Sequence, residues 1–378
     1  MTGDVPMLAH LSGGVDSSMI VCAADRLRRE SSAPRAPIKV VSARYPGLGC
    51  DESSYIDAVI RSIKFPSDSW DGRQSDFREL DTPSVAGPAW WVHRADGSTG
   101  EFDIAARTGA RYIISGLGGD HVGAAFGAIE DRVRQKPVSF AWTTLERSDL
   151  TTAQRLRRLR ILVRTFLPSP IRSRVAAMRG QRRAPRWLHT RWRALAGRLV
   201  AGDLPRTDGA FTSSIQEARW RELTGARLGL CLDAEHRVSS AHDVEMRYPF
   251  LDRDLVEFAL SLPRESWPSS ANHYRLHREA LGDLLPDEIR RRTTKARFSY
   301  VIAHRVTQAR ERIKRLLYAG EWASERWIDR SRAQLVFEEL MSRAVPETDL
   351  LAWQGILATA QLEAWLRTVF GYASGGHA

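Results

Sequence analysis

The apolar positions of this chain fall in short blocks over its first third and in helix-spaced stripes after that. Val5–Leu11 is a short apolar run that reads as a strand, and Asp16–Arg29 follows it with helical spacing. Ile38–Ala43 (IKVVSA) is a second apolar, β-branched run, set between Ala-Pro and Pro-Gly, and reads as a buried strand. Asp51 then precedes a helix whose Ile56, Val59, Ile60 and Ile63 share one stripe. Phe65–Trp70 is a weak strand candidate. Residues 71–99, with several glycines and prolines and the pair Trp90–Trp91, read as a long irregular connection. Glu101–Thr108 is helical in pattern, and Arg111–Ser115 (RYIIS) is a third short strand that runs into a second glycine turn, Gly116–Asp120. Strand and helix thus alternate over residues 1–128. This predicts a parallel α/β sheet with helices on both faces, and ligands at the carboxyl ends of its strands. Both glycine turns, 12–14 and 116–119, fall at such ends.

The pattern changes after that. Over 129–235, Arg155, Arg157, Arg158, Arg160 and Arg164 interleave with Leu156, Leu159, Leu162 and Phe166, and further arginines follow with Trp187 and Trp192 among them. The spacing is helical, and the expectation is a stripe that packs and a cationic face that is solvated. Residues 236–378 are helical in pattern, most clearly over Asp254–Leu262, His273–Leu285 and Leu350–Phe370, where Trp353, Ile356, Leu357 and Ala360 line up. No internal repeat is found, and only the tail Ser374–Ala378 reads as disordered.

Composition narrows the classes. The 378 residues are 43% hydrophobic, ordinary for a globular chain. No apolar run reaches membrane-spanning length and no signal peptide opens the chain, so a cytoplasmic location and no membrane partner are expected. The cysteines Cys22, Cys50 and Cys231 form no CxxC pair, which argues against structural zinc and a disulfide framework. The formal net charge is +11, carried almost wholly by arginine beside five lysines. Interleaved Arg and Trp suit nucleic acid, but an arginine-rich code gives the same excess, and a nucleic-acid partner is not expected.

The chemistry sits in LSGGVDSS, Leu11–Ser18. A strand, a glycine turn and a helix start present unpaired backbone N–H groups to an anion. Ser12, Ser17 and Ser18 add hydroxyls. Asp16 would repel a phosphate alone, and makes sense as a ligand of a Mg²⁺ that bridges to the phosphates. No GxxxxGK[ST] occurs in the chain, so this is not a Walker loop.

That run resembles the SGGxDS pyrophosphate loop of the N-type ATP pyrophosphatases. Three later segments narrow the resemblance: SGLGGDHV (Ser115–Val122), EMRYPFLDRDLVEFAL (Glu245–Leu260) and LPDEIRRRTTKARFS (Leu285–Ser299). In this order the four are similar to the synthetase domain of the asparagine synthetase family, whose members include β-lactam synthetases and lasso-peptide cyclases. The whole chain, 1–378, is expected to be one such domain: a nucleotide-binding core of the adenine nucleotide α-hydrolase type at 1–128, an Arg-rich helical insertion at 129–235, and a helical remainder at 236–378. The resemblance implies ATP and Mg²⁺. By position it places Ser12, Gly13, Gly14, Asp16 and Ser17 on the pyrophosphate, Asp16 and Asp120 on Mg²⁺, and Leu11, Val41, Ala43, Ser115 and Gly116 around adenosine. Lys295 would stabilise charge as the adenylate is attacked. Glu245 would assist removal of the amine proton, with an ion pair to Arg247 as its structural alternative.

The departures matter for the substrate. Leu117 stands where asparagine synthetases have Glu and lactam formers have Tyr, and His121 follows Asp120 where Glu is usual. Thr2 follows Met1, where glutamine-dependent members need a cysteine, so no glutaminase is expected. The implied reaction is ATP-dependent: a carboxylate is adenylated with loss of pyrophosphate, and an amine then displaces AMP. A ribosomal peptide closed to a macrolactam is the first expectation, with a precursor-binding protein and a protease as partner proteins. Amidation of a small acid with ammonia, and tRNA modification, are the alternatives.

Overall fold

The computed structural model describes residues 5–30, 36–74, 77–81, 83, 100–123, 128–146, 151–202, 211, 213–263, 266–267, 275–292, 294, 296, 299–342 and 350–371. Lys295, Thr2, Trp90, Trp91 and the tail 374–378 lie outside them.

Five parallel strands form the sheet: β1 (Met7–His10), β2 (Ile38–Arg44), β3 (Ser67–Asp71), β4 (Tyr112–Ile114) and β5 (Glu245–Arg247), in the order β3-β2-β1-β4-β5. Met7 is in register with Ile38 and with Tyr112, so the three central strands start together, and β2 runs on past the other two to Arg44. Met7, Leu8 and Ala9 are all buried, which explains why β1 is apolar throughout: both of its faces are covered. One face packs Ala9, Leu11, Val40 and Ile114 against α1 (Val15–Glu30) and α2 (Ser53–Ser62). The other packs Leu8, Val41, Ile113 and Met246 against the helix Gly100–Thr108. The order reverses between β1 and β4, and there the crevice opens.

The expected strands and helices of 1–128 are present among the described residues. β5 is the strand that the pattern did not announce. It is an edge strand of three residues, of which only Met246 is buried. Past it, Asp252 caps the helix Arg253–Ser261 by accepting from Asp254 N at 3.0 Å, and Phe250 is buried, so PFLD shapes the turn.

The helices Ser299–Gln308, Arg310–Tyr318, Arg330–Ser342 and Leu350–Phe370 build a second core, and Trp353, Ile356, Leu357 and Ala360 line it as their spacing requires. Trp187 belongs to it as well: it is buried and its Nε1–H donates to Thr359 Oγ1 at 2.9 Å. Trp192 donates to the Arg326 carbonyl at 3.1 Å. The segment 129–235 is therefore tied to the C-terminal helices, and Trp187 has no face left for a base. Its helix Thr152–Phe166 differs from expectation. That helix buries no residue, and Leu156, Val163 and Phe166 are 48%, 62% and 57% exposed. Among the described residues the short helices Ala128–Gln135 and Pro137–Glu146 pack beside it, with Arg158 laid over the Phe140 ring, and part of the apolar stripe stays in solvent.

Candidate active site

The turn after β1 is held by its own serines. Ser12 N donates to Ser17 Oγ at 3.1 Å, and Ser18 Oγ donates to the Gly14 carbonyl at 2.7 Å. Gly13 has φ +78°, and a Cβ on it would stand 3.0 Å from Cβ of Tyr55, so only glycine fits. The Ser12 side chain is exposed, and Gly14 N reaches its hydroxyl only at 3.4 Å. A helix start such as that of α1 leaves N–H groups without helical partners, an arrangement that suits an anion.

Across the crevice the turn after β4 meets that helix start. Gly116 lies against the Ser17 backbone, where a Cβ would come within 2.8 Å of Ser17 N. Gly119 lies against the Asp16 carboxylate, which brings Asp16 beside the turn that carries Asp120. His277, from the helix Arg275–Leu281, has Nδ1 3.6 Å from Asp16 Oδ1 and is buried. Burial pushes its imidazole down to about 4, against the pull of the Asp120 charge and helped by the Arg219 charge, so it is neutral at pH 7. Among the described residues no three His, Cys, Asp or Glu are grouped to hold a metal by themselves. The donor set that the two turns offer is the carboxylates of Asp16 and Asp120, both of which act on His277. It suits Mg²⁺, which keeps waters and takes its other ligands from phosphate oxygens.

Leu11, Ser12, Val41 and Ala43 line one cleft of about 160 Å³, together with His10, Tyr45, Cys50, Glu52, Trp70 and Glu101. Three of the five residues assigned to adenosine are thus brought together. Ser115 and Gly116 are not among its lining residues; they sit at the α1 end, where the Ser115 hydroxyl accepts from Leu117 N at 3.2 Å.

The structure does not bring Glu245 to this place. It pairs with Tyr112 at the amino end of the sheet, while the loop leaves the carboxyl end. Its side chain is 57% exposed and accepts from Arg247 Nε at 2.9 Å. No contact described for Glu245 brings it to the loop after β1, and the pair with Arg247 is the structural alternative expected for it. Just past the strand, Tyr248 OH donates to Glu235 at 2.8 Å, a pair that the sequence did not single out.

Arg292 was missed too. It is buried, and its Nη1 donates to the Gly13 carbonyl at 2.8 Å. Leu285 and Ile289, from the same segment, sit in the core with α1 and α2. LPDEIRRR therefore reaches the loop after β1, and Lys295 follows three residues later in the chain.

The fold and the glycine loop after β1 are those of an α/β protein with its site at the carboxyl ends of the strands, and a family comparison gives the particular family. The model of the family Asparagine synthase matches residues 1–367, and the chain belongs to that family. It is an ATP-dependent carbon–nitrogen ligase, of a family that forms amides through an adenylated carboxylate. A search of curated proteins returns no match. No helix among the described residues is long and apolar enough to cross a membrane.

Proposed function

We propose that this ligase closes a peptide by an internal amide. A peptide carboxylate attacks the α-phosphorus of ATP and expels pyrophosphate, and an amine of the same peptide then attacks the acyl carbon and expels AMP. Loop 12–17 holds the β- and γ-phosphates through N–H and hydroxyl donors, and the cleft at Leu11, Val41 and Ala43 takes adenosine. Asp16 and Asp120 would hold Mg²⁺, which would neutralise charge on the phosphates. Lys295 supplies positive charge where the departing groups gain negative charge, and the rest of the rate comes from positioning.

Leu117 is the observation that carries the choice of substrate. It stands in the turn after β4, next to the Gly116 that packs on Ser17, at the position where the family's enzymes for a small acid and ammonia carry a carboxylate. An apolar side chain there suits a larger, less polar substrate. The exposed apolar positions Val138, Trp142 and Leu145 on the helix Pro137–Glu146 also suit a peptide partner.

The test is incubation with ATP, Mg²⁺ and a synthetic peptide that carries an Asp or Glu side chain and a free N-terminus. Loss of the mass of one water from the peptide, with AMP formed in equal amount, supports macrolactam closure. Amidation of free aspartate by ammonia, with no peptide product, overturns it.

A further inference from the structure

The Arg292 guanidinium spends its donors on three separate parts of the chain. Nη1 donates to the Gly13 carbonyl at 2.8 Å, Nη2 to the Glu52 carboxylate, and Nε to the Thr294 carbonyl at 2.8 Å. Its flat face covers Tyr55, with Cζ 4.2 Å from the ring centroid. Only 5% of the side chain is exposed, and burial holds its pKa below the usual arginine value. A charge taken this far from water persists only when it is fully paired. The pairing here is with the crest of the loop and with the first turn of the wall beside it.

The orientation of one peptide unit gives this a function. In a trans peptide the C=O and the following N–H point in opposite directions. A Gly13 carbonyl pulled inward by Arg292 therefore turns the Gly14 N–H outward, toward the crevice. There its present bond, to the exposed Ser12 hydroxyl at 3.4 Å, is long enough for a phosphate oxygen to replace it. Glycine at 13 offers no side-chain barrier to the opposite peptide orientation, in which the carbonyl would face the phosphates and repel them. Gly13 also leans on Glu52, whose carbonyl would be 3.2 Å from a Cβ there, and Glu52 lines the cleft.

We propose that Arg292 is a positioning residue, one that fixes the Gly13–Gly14 peptide against Glu52 so that the loop presents donors to the β- and γ-phosphates of ATP. It touches neither nucleotide nor acid. This rests on the ATP chemistry of the family and not on the peptide reading, so failure of the one leaves the other standing. Lysine cannot replace it, because one ammonium does not span two acceptors in the fixed fork of a guanidinium.

Calorimetric titration of wild type, Arg292→Ala and Arg292→Lys with Mg²⁺·ATP, Mg²⁺·pyrophosphate and AMP tests it, with circular dichroism to show the fold. Arg292→Ala is expected to weaken ATP and pyrophosphate by about tenfold or more, the size of one charge-assisted hydrogen bond. AMP, which lacks the β- and γ-phosphates, should bind as to wild type, and added ethylguanidinium should restore ATP affinity. Arg292→Lys should show the same split and decides the matter if the alanine variant does not fold. Unchanged ATP binding, or an equal loss for ATP and AMP in a folded variant, overturns the proposal.

Discussion

The Asp16 carboxylate fills the space where a side chain on Gly119 would begin: a Cβ there would stand 2.6 Å from Asp16 Oδ1. Two turns from different strands are thereby locked, with Asp120 carried on the same turn as Gly119. Gly119→Ala should push the carboxylate out of place without unfolding the sheet. We expect adenylation, followed as pyrophosphate exchange into ATP, to fall by about 10²-fold or more, as when one preorganised charge stabiliser is lost. A fully active Gly119→Ala would show that Asp16 need not sit against this turn.

Asp16→Asn and Asp120→Asn should each remove Mg²⁺-dependent exchange while leaving AMP binding intact. An amide is a weak substitute for a hard carboxylate ligand of Mg²⁺. Exchange that survives in either variant and still needs Mg²⁺ would place the metal on other residues.

Ala43 lines the cleft with Leu11 and Val41, and the cleft holds about 160 Å³. Ala43→Trp should fill it. ATP and AMP should then weaken together, unlike the split expected for Arg292→Ala, because the obstruction meets the part the two nucleotides share. Titration of both nucleotides reads this directly, and wild-type AMP affinity would move adenosine elsewhere.

Glu245→Gln should leave both exchange and amide formation near wild type. The side chain is exposed, sits at the amino end of β5 and pairs only with Arg247 among the contacts described for it. Exposed pairs of this kind contribute about 0.2–1 kcal/mol to stability. Exchange kept with amide formation lost would return Glu245 to the chemistry, despite its place in the sheet.

Glu245 also shows where the sequence stops being informative. The resemblance of EMRYPFLD gives a residue its family position but not the strand end at which it stands. That depends on register, and β5 has too few apolar residues to reveal itself as a strand. β1 and β2 were legible for the opposite reason, since burial on both faces leaves them rich in apolar and β-branched residues. The loop Leu11–Ser18 was legible because backbone N–H groups need glycines and a helix start, and both show in the letters. Arg292 and His277 act through contacts with Gly13 and Asp16 that cross more than 250 positions of the chain. No local pattern marks such residues; Arg292 is one arginine in a run of three. The insertion was half legible: helices appear where the spacing put them, but only packing shows that Trp187 is core and Phe166 is not.

If the crevice between β1 and β4 is the adenylating site, ATP is cleaved there between its α- and β-phosphates. The most direct measurement follows ATP labelled at the γ-phosphate through a turnover with Mg²⁺ and an accepted carboxylate, and identifies the labelled product beside the nucleotide left behind. Labelled pyrophosphate and AMP are expected in equal amounts, with exchange of pyrophosphate back into ATP before any amine is added. Labelled orthophosphate and ADP in equal amounts would contradict it.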